Sequence, residues 1–235
     1  MLVAVQFPVY VGSSRRSRRS HRKAGDGVSG DLNDPPATAL AAEVRRLLDQ
    51  CAPVVAAHCE RSYQFAAAFA ATDSVELDAE VLYLGTMLHD IGLSPAADGT
   101  ERFEVRGANL VRALLLDHGM ERARIANVWD CIAMHASTPL ARHKSLETRY
   151  ANRGIALDVR GSGAEALEPA LVRAVLDRWP RYDFPTEFEA VLANEVRAHP
   201  DSVRMSWLES VASVHVPGFV PTDFLAGLRT TTGFA

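Results

Sequence analysis

Residues 81–92 read VLYLGTMLHDIG, an apolar run that ends abruptly in the pair His89-Asp90 and a glycine. Leu84, Met87 and Leu88 precede the pair, so the imidazole and the carboxylate arrive half buried at the end of a helix. A buried Asp needs a partner, because transfer of an unpaired charge out of water is costly. Adjacent His and Asp side chains suit a divalent metal when a helix end tilts both the same way. Upstream, Asp78 can cap this helix and Pro53 can open another that runs to about Ala71. On that second helix His58 shares a face with Ser62, Phe65 and Phe69, which turns a histidine inward. Taken alone, such a histidine reads as a hydrogen-bonded core residue at least as readily as a ligand.

The helical pattern extends almost throughout the body. Asp34, Pro35 and Pro36 resemble a cap and first turn, followed by Leu40, Val44, Leu47 and Leu48 on one face. A fourth helix is expected from about Glu101 to His118, with Gly119 in the left-handed position that ends it. A fifth spans about Glu121–His135, and further helices fit Ala164–Arg178, Thr186–Ala198 and Ser202–Val214. The intervening GIALDVRGSG (154–163) reads as a glycine-flanked loop that carries Asp158 toward a site. No stretch alternates with period two, so the class is all-α, a single helical bundle. The domain spans 34–220, between a basic, disordered tail (1–33) and a short C-terminal tail (221–235).

Composition narrows the class of function. The 235 residues are 48% hydrophobic, and 25 basic against 29 acidic residues give a net charge of −4. Six of the basic residues lie in one run, Arg15, Arg16, Arg18, Arg19, Arg22 and Lys23, which leaves −10 for everything else. A body this acidic is a poor binder of phosphate backbones, so no nucleic-acid partner is expected. No apolar run reaches the roughly 18 residues of a membrane span, and no membrane partner is expected. Cys51, Cys59 and Cys131 form no CxxC pair and read as reduced residues of a cytoplasmic protein. The apolar C-terminal helices suit a homo-oligomer, although the pattern does not separate their core faces from interface faces.

The order His58, His89-Asp90, Asp158 resembles the H…HD…D signature of the HD-domain metalloenzyme superfamily. Phe103-Glu104-x-x-Gly107-Ala108, Ile132-Ala133-x-His135 and Gly154-x-x-x-Asp158-Val159-x-Gly161 resemble its cyanamide hydratase-like branch. Trp179-Pro180-Arg181, Phe184, Phe188, Pro200 and Trp207 continue the similarity, which covers about Pro36 to Phe219. The resemblance implies an HD-domain helical fold in which His58, His89, Asp90 and Asp158 ligate one divalent metal. Zn²⁺ is the expected ion, and Fe, Mn and Ni are compatible with the same donors. Binuclear relatives place a metal-binding His where this chain has Phe103, and cyclic-dinucleotide phosphodiesterases place a lysine where it has Leu93. Both departures point to a mononuclear site.

The resemblance also implies a role for His135 in the pocket, as proton shuttle or structural residue, and for Glu104 beside it. Zn²⁺ with an open position lowers the pKa of water toward about 7. The implied reaction is then addition of water to a small nitrile-like substrate, as in cyanamide to urea. The alternative is a phosphohydrolase acting on a nucleotide or other small phosphate ester, with Arg61, Arg102 and Arg106 as cations near the motifs. A domain that holds its metal only structurally is a third reading. His118 at a helix end and Asp130 on a helix surface read as structural.

Overall fold

The computed structural model describes residues 32–230; the expected basic tail lies outside these apart from Leu32 and Asn33. Those two residues are held on the body. Leu32 packs against buried apolar side chains, and Asn33 exchanges hydrogen bonds with Gln64, its backbone amide donating to Oε1 over 2.7 Å.

The described residues form helices without strands. The first, α1 (Ala39–Leu48), starts four residues later than Asp34 would dictate. Thr38 is its N-cap, accepting from the Ala41 amide over 3.3 Å, so the prolines lie in the approach to the helix. The central helix, α2 (Pro53–Thr72), buries 13 of its 20 residues and is therefore contacted on nearly every side. Asp78 caps α3 (Ala79–Met87) as expected, but the helix stops at Met87. His89 and Asp90 fall in the turn before a short 3₁₀ segment, Ile91–Leu93, rather than in the helix itself. Next come α4 (Phe103–Asp117) and α5 (Arg122–Ala133), separated by Gly119 at φ +70°.

The region read as a loop is the largest departure. A short α6 (Thr138–Ala141) leads into α7 (Leu146–Arg160), so Asp158 lies on a helix. Only Gly161, at φ 71°, terminates that helix as a left-handed residue. Gly154 serves a different purpose: α7 lies antiparallel on α2, and a Cβ at Gly154 would stand 2.3 Å from the Ser62 carbonyl oxygen. Close approach, not backbone freedom, demands glycine there. One turn further along, the same contact brings Asp158 to His58 and Arg61.

The remaining helices are α8 (Pro169–Arg178), α9 (Phe184–Ala198), α10 (Leu208–His215) and α11 (Phe224–Thr230). α9 and α10 close one side of the site through a cluster of Phe103, Leu192, Val196, Val203, Leu208 and Ala212. α11, within the stretch read as a C-terminal tail, buries no residue. No helix among the described residues is long and apolar enough to cross a membrane.

Gly107 on α4 crosses the backbone at Gly92, where an added Cβ would stand 2.9 Å from the Gly92 nitrogen. Arg106, beside it and 4% exposed, donates to the carbonyls of Ala97, Glu101 and Gly92 and pairs with Glu195 of α9 at 2.9 Å. This buried arginine pins the segment just after Asp90 between α4 and α9. The turn bearing the His-Asp pair is thereby fixed from both sides.

Candidate metal centre

α2 delivers His58, the turn after α3 delivers His89 and Asp90, and the end of α5 delivers His135; all four are buried. The Nδ1 atom of each histidine is already engaged. His58 Nδ1 donates to Asp158 Oδ2 (2.6 Å), His89 Nδ1 to the Thr86 carbonyl (2.7 Å) and His135 Nδ1 to the Ile132 carbonyl (2.7 Å). Because those partners are acceptors, the ring protons reside on Nδ1 and the Nε2 lone pairs are free.

The free atoms converge. His58 Nε2 lies 3.1 Å from His89 Nε2, and Asp90 Oδ2 lies 3.2 Å from His89 Nε2 and 3.8 Å from His58 Nε2. Three acceptors facing one another repel unless positive charge sits among them. Asp90 Oδ2 is moreover buried and, among the described residues, without a hydrogen-bond partner. A divalent cation relieves both conditions, and a His₂-carboxylate donor set is well suited to one. His58, His89 and Asp90 therefore form a group whose ligand atoms lie within 4.8 Å of one another and can hold a metal ion.

Electrostatics point the same way. Burial opposes charging of His89, but the Asp90 carboxylate overrides it and lifts the imidazole well above its ordinary pKa, so that with no cation among these atoms a proton on Nε2 supplies the positive charge they call for. Burial likewise opposes ionisation of Asp90, yet the surrounding imidazoles, His89 foremost, hold it below the usual carboxylate range. Burial pulls His58 and His135 down, toward the neutral forms that ligate. The cluster as a whole draws positive charge.

Asp158, expected as a fourth ligand, has its carboxylate next to the cluster. Its carboxylate lies behind His58, on Nδ1, and outside the His58–His89–Asp90 group. Arg61 grips it with two bonds, Nε to Oδ1 (2.8 Å) and Nη2 to Oδ2 (2.9 Å), and Arg181 adds a contact at 3.2 Å. Burial opposes its ionisation, but His58 and Arg61 bring its pKa down to about 2. Arg61, three residues after His58 on the same helix, was open to recognition from that spacing. Its role is to neutralise the carboxylate that orients the histidine.

Above the cluster lies a cavity of about 270 Å³. His58, His89, Asp90 and His135 line it together with Phe103, Phe188, Leu192 and Trp207. Phe103 packs on His135 with ring centroids 5.7 Å apart, so it is a wall of the site where binuclear relatives carry a ligand. His135 Nε2 stands 3.3 Å from Asp90 Oδ1. Glu104 does not line the cavity; its Oε1 accepts from Trp207 Nε1 (3.1 Å), holding that wall, and its Oε2 is buried without a partner. Of the residues read as structural, His118 is the C-cap of α4 and Asp130 pairs with Lys144 at 2.9 Å.

Residues 55–178 match the HD domain, a span that begins in α2 and takes in His58, the His-Asp pair and Asp158. The chain belongs to the HD-domain family. HD domains are in general metal-dependent hydrolases, and the buried His-His-Asp group is where this one can hold its metal. No curated protein matches the sequence.

Proposed function

We propose that this HD-domain protein is a mononuclear metal-dependent enzyme that adds water to a small nitrile-like substrate, the conversion of cyanamide to urea being the type reaction. The observation that carries the reading is the pocket: a half-open, mainly apolar chamber seated directly on the His58–His89–Asp90 group. A phosphate ester needs several cations around it beyond the metal. Arg61 and Arg106 are each committed to a buried carboxylate, and Arg102 stands 3.4 Å from Glu104 outside the chamber, which leaves Arg160 as the single Lys or Arg among the residues lining it.

His58, His89 and Asp90 would hold the metal, with Asp158 fixing the His58 tautomer from behind. When bound, a divalent cation supplies Lewis acidity and acidifies water. His135 is placed to move a proton at Nε2: its Nδ1 proton is fixed on Ile132, and Nε2 faces both the cavity and Asp90. Phe103, Phe188, Leu192 and Trp207 exclude bulk water from the reacting end.

The test is a paired assay of the zinc-loaded protein: urea formation from cyanamide, and inorganic phosphate release from nucleotides and simple phosphate esters. Urea without phosphate supports the reading. Phosphate release without urea would replace it with the phosphohydrolase alternative.

A further inference from the structure

Cyanamide has three non-hydrogen atoms, and the chamber is larger than it needs. At about 30 Å³ for each water-sized group, about 270 Å³ accommodates roughly nine. The space beyond the cluster is walled by Ile155, Val159, Phe188 and Leu192, none of which offers a hydrogen bond from its side chain. Two polar side chains besides those of the cluster and the Trp207 ring face the chamber, Thr138 and Arg160.

Arg160 differs from the other arginines near the site. Arg61, Arg106 and Arg181 all contact carboxylates at 3.2 Å or less. Arg160, the last residue of α7, makes no ion pair or side-chain hydrogen bond among the described residues, although it lines the chamber. Ala156 and Arg160 are one helical turn apart, about 6 Å along α7, and both face the cavity, as do Ile155 and Val159. One face of α7 thus runs from an apolar stripe to a guanidinium that is unpaired among the described residues. Arg160 and Val159 are both exposed, so the guanidinium stands at the mouth of the chamber, where the apolar walls shield an anion beside it on one side only.

We propose that Arg160 is a specificity-determining residue, and that the physiological substrate carries an anionic group on a short apolar body, the group seated against Arg160 while the reacting end lies on the metal cluster. The nature of the reacting end rests on the hydration reading above; the anionic end does not. Carboxylate and phosphate share the chemistry that Arg160 offers, and the test separates them.

Binding to the zinc-loaded protein would be measured by calorimetry with matched probes: 4-cyanobutanoate, pentanenitrile, pentanoate and butyl phosphate. The nitrile carboxylate should bind on the order of tenfold tighter than pentanenitrile, the worth of a charge-assisted contact at a half-open site. Arg160→Gln should abolish that preference, and Arg160→Lys should restore part of it. Arg160-dependent binding of pentanoate or of butyl phosphate identifies the anion. Equal binding of charged and neutral probes, or a preference that survives Arg160→Gln, overturns the inference. If Arg160-dependent anion binding persists while no nitrile is hydrated, the hydration reading fails and the anion site stands.

Discussion

Neutralising Asp158 is the change whose consequences follow most directly from the geometry. Asp158→Asn preserves shape but removes the charge that faces Arg61, which is 1% exposed and otherwise donates only to the carbonyls of Trp179 and Pro180 at 3.3 Å. Breaking one partner of a buried ion pair costs about 3–5 kcal/mol, because the remaining charge has no solvent to turn to. For a domain of this size each kcal/mol moves Tm by about 2–4 °C, so thermal denaturation should fall by about 6–20 °C. His58 would at the same time lose the acceptor that fixes its tautomer, and metal affinity should fall about 10- to 100-fold. The double variant Arg61→Met, Asp158→Leu removes both charges and should regain most of the stability, but not the metal affinity. Calorimetric melting of the parent and the two variants, with zinc titration of each, separates the two effects. A single variant within about 2 °C of the parent, or a double variant no more stable than the single one, would refute the buried-pair reasoning.

Acidification probes the same carboxylate. Its pKa is depressed from an ordinary 3.8 to about 2, so its contribution is complete above pH 4 and disappears as the pH falls toward 2. That contribution is about 2 kcal/mol, and denaturant unfolding of Asp158→Asn should lack this part of the slope. Gly154→Ala places a Cβ 2.3 Å from the Ser62 carbonyl and should cost at least about 1–3 kcal/mol, read from the urea midpoint. Arg106→Met strands Glu195 and frees the segment after Asp90; a loss of about 3–5 kcal/mol and weaker metal retention are expected. His135→Ala should keep its metal by elemental analysis yet lose about 10²- to 10⁴-fold in kcat.

The sequence made the helical class legible because one apolar face per helix and the caps at Asp78 and Gly119 act locally. It made the metal group legible through the resemblance to the H…HD…D signature, since an apolar run ending in His-Asp is weak evidence by itself. The misreading of 154–163 has an identifiable cause. Three glycines in ten residues look like a loop, yet Gly154 is required by the closeness of α2, a contact visible only in three dimensions. Once Asp158 is on a helix antiparallel to α2, its neighbours are His58 and Arg61, and its carboxylate bonds both. The sequence assigns no place to the chamber walls from α9 and the segment before α10, since their positions depend on Arg106 and Glu195 joining distant elements.

Metal content per chain, measured by elemental analysis of protein purified without added metal or chelator, tests the central claim most directly. About one divalent ion per chain in the parent, and none above background in a folded His89→Ala variant, is the predicted result. Two ions per chain, or undiminished metal in His89→Ala, would contradict a single metal held by His58, His89 and Asp90.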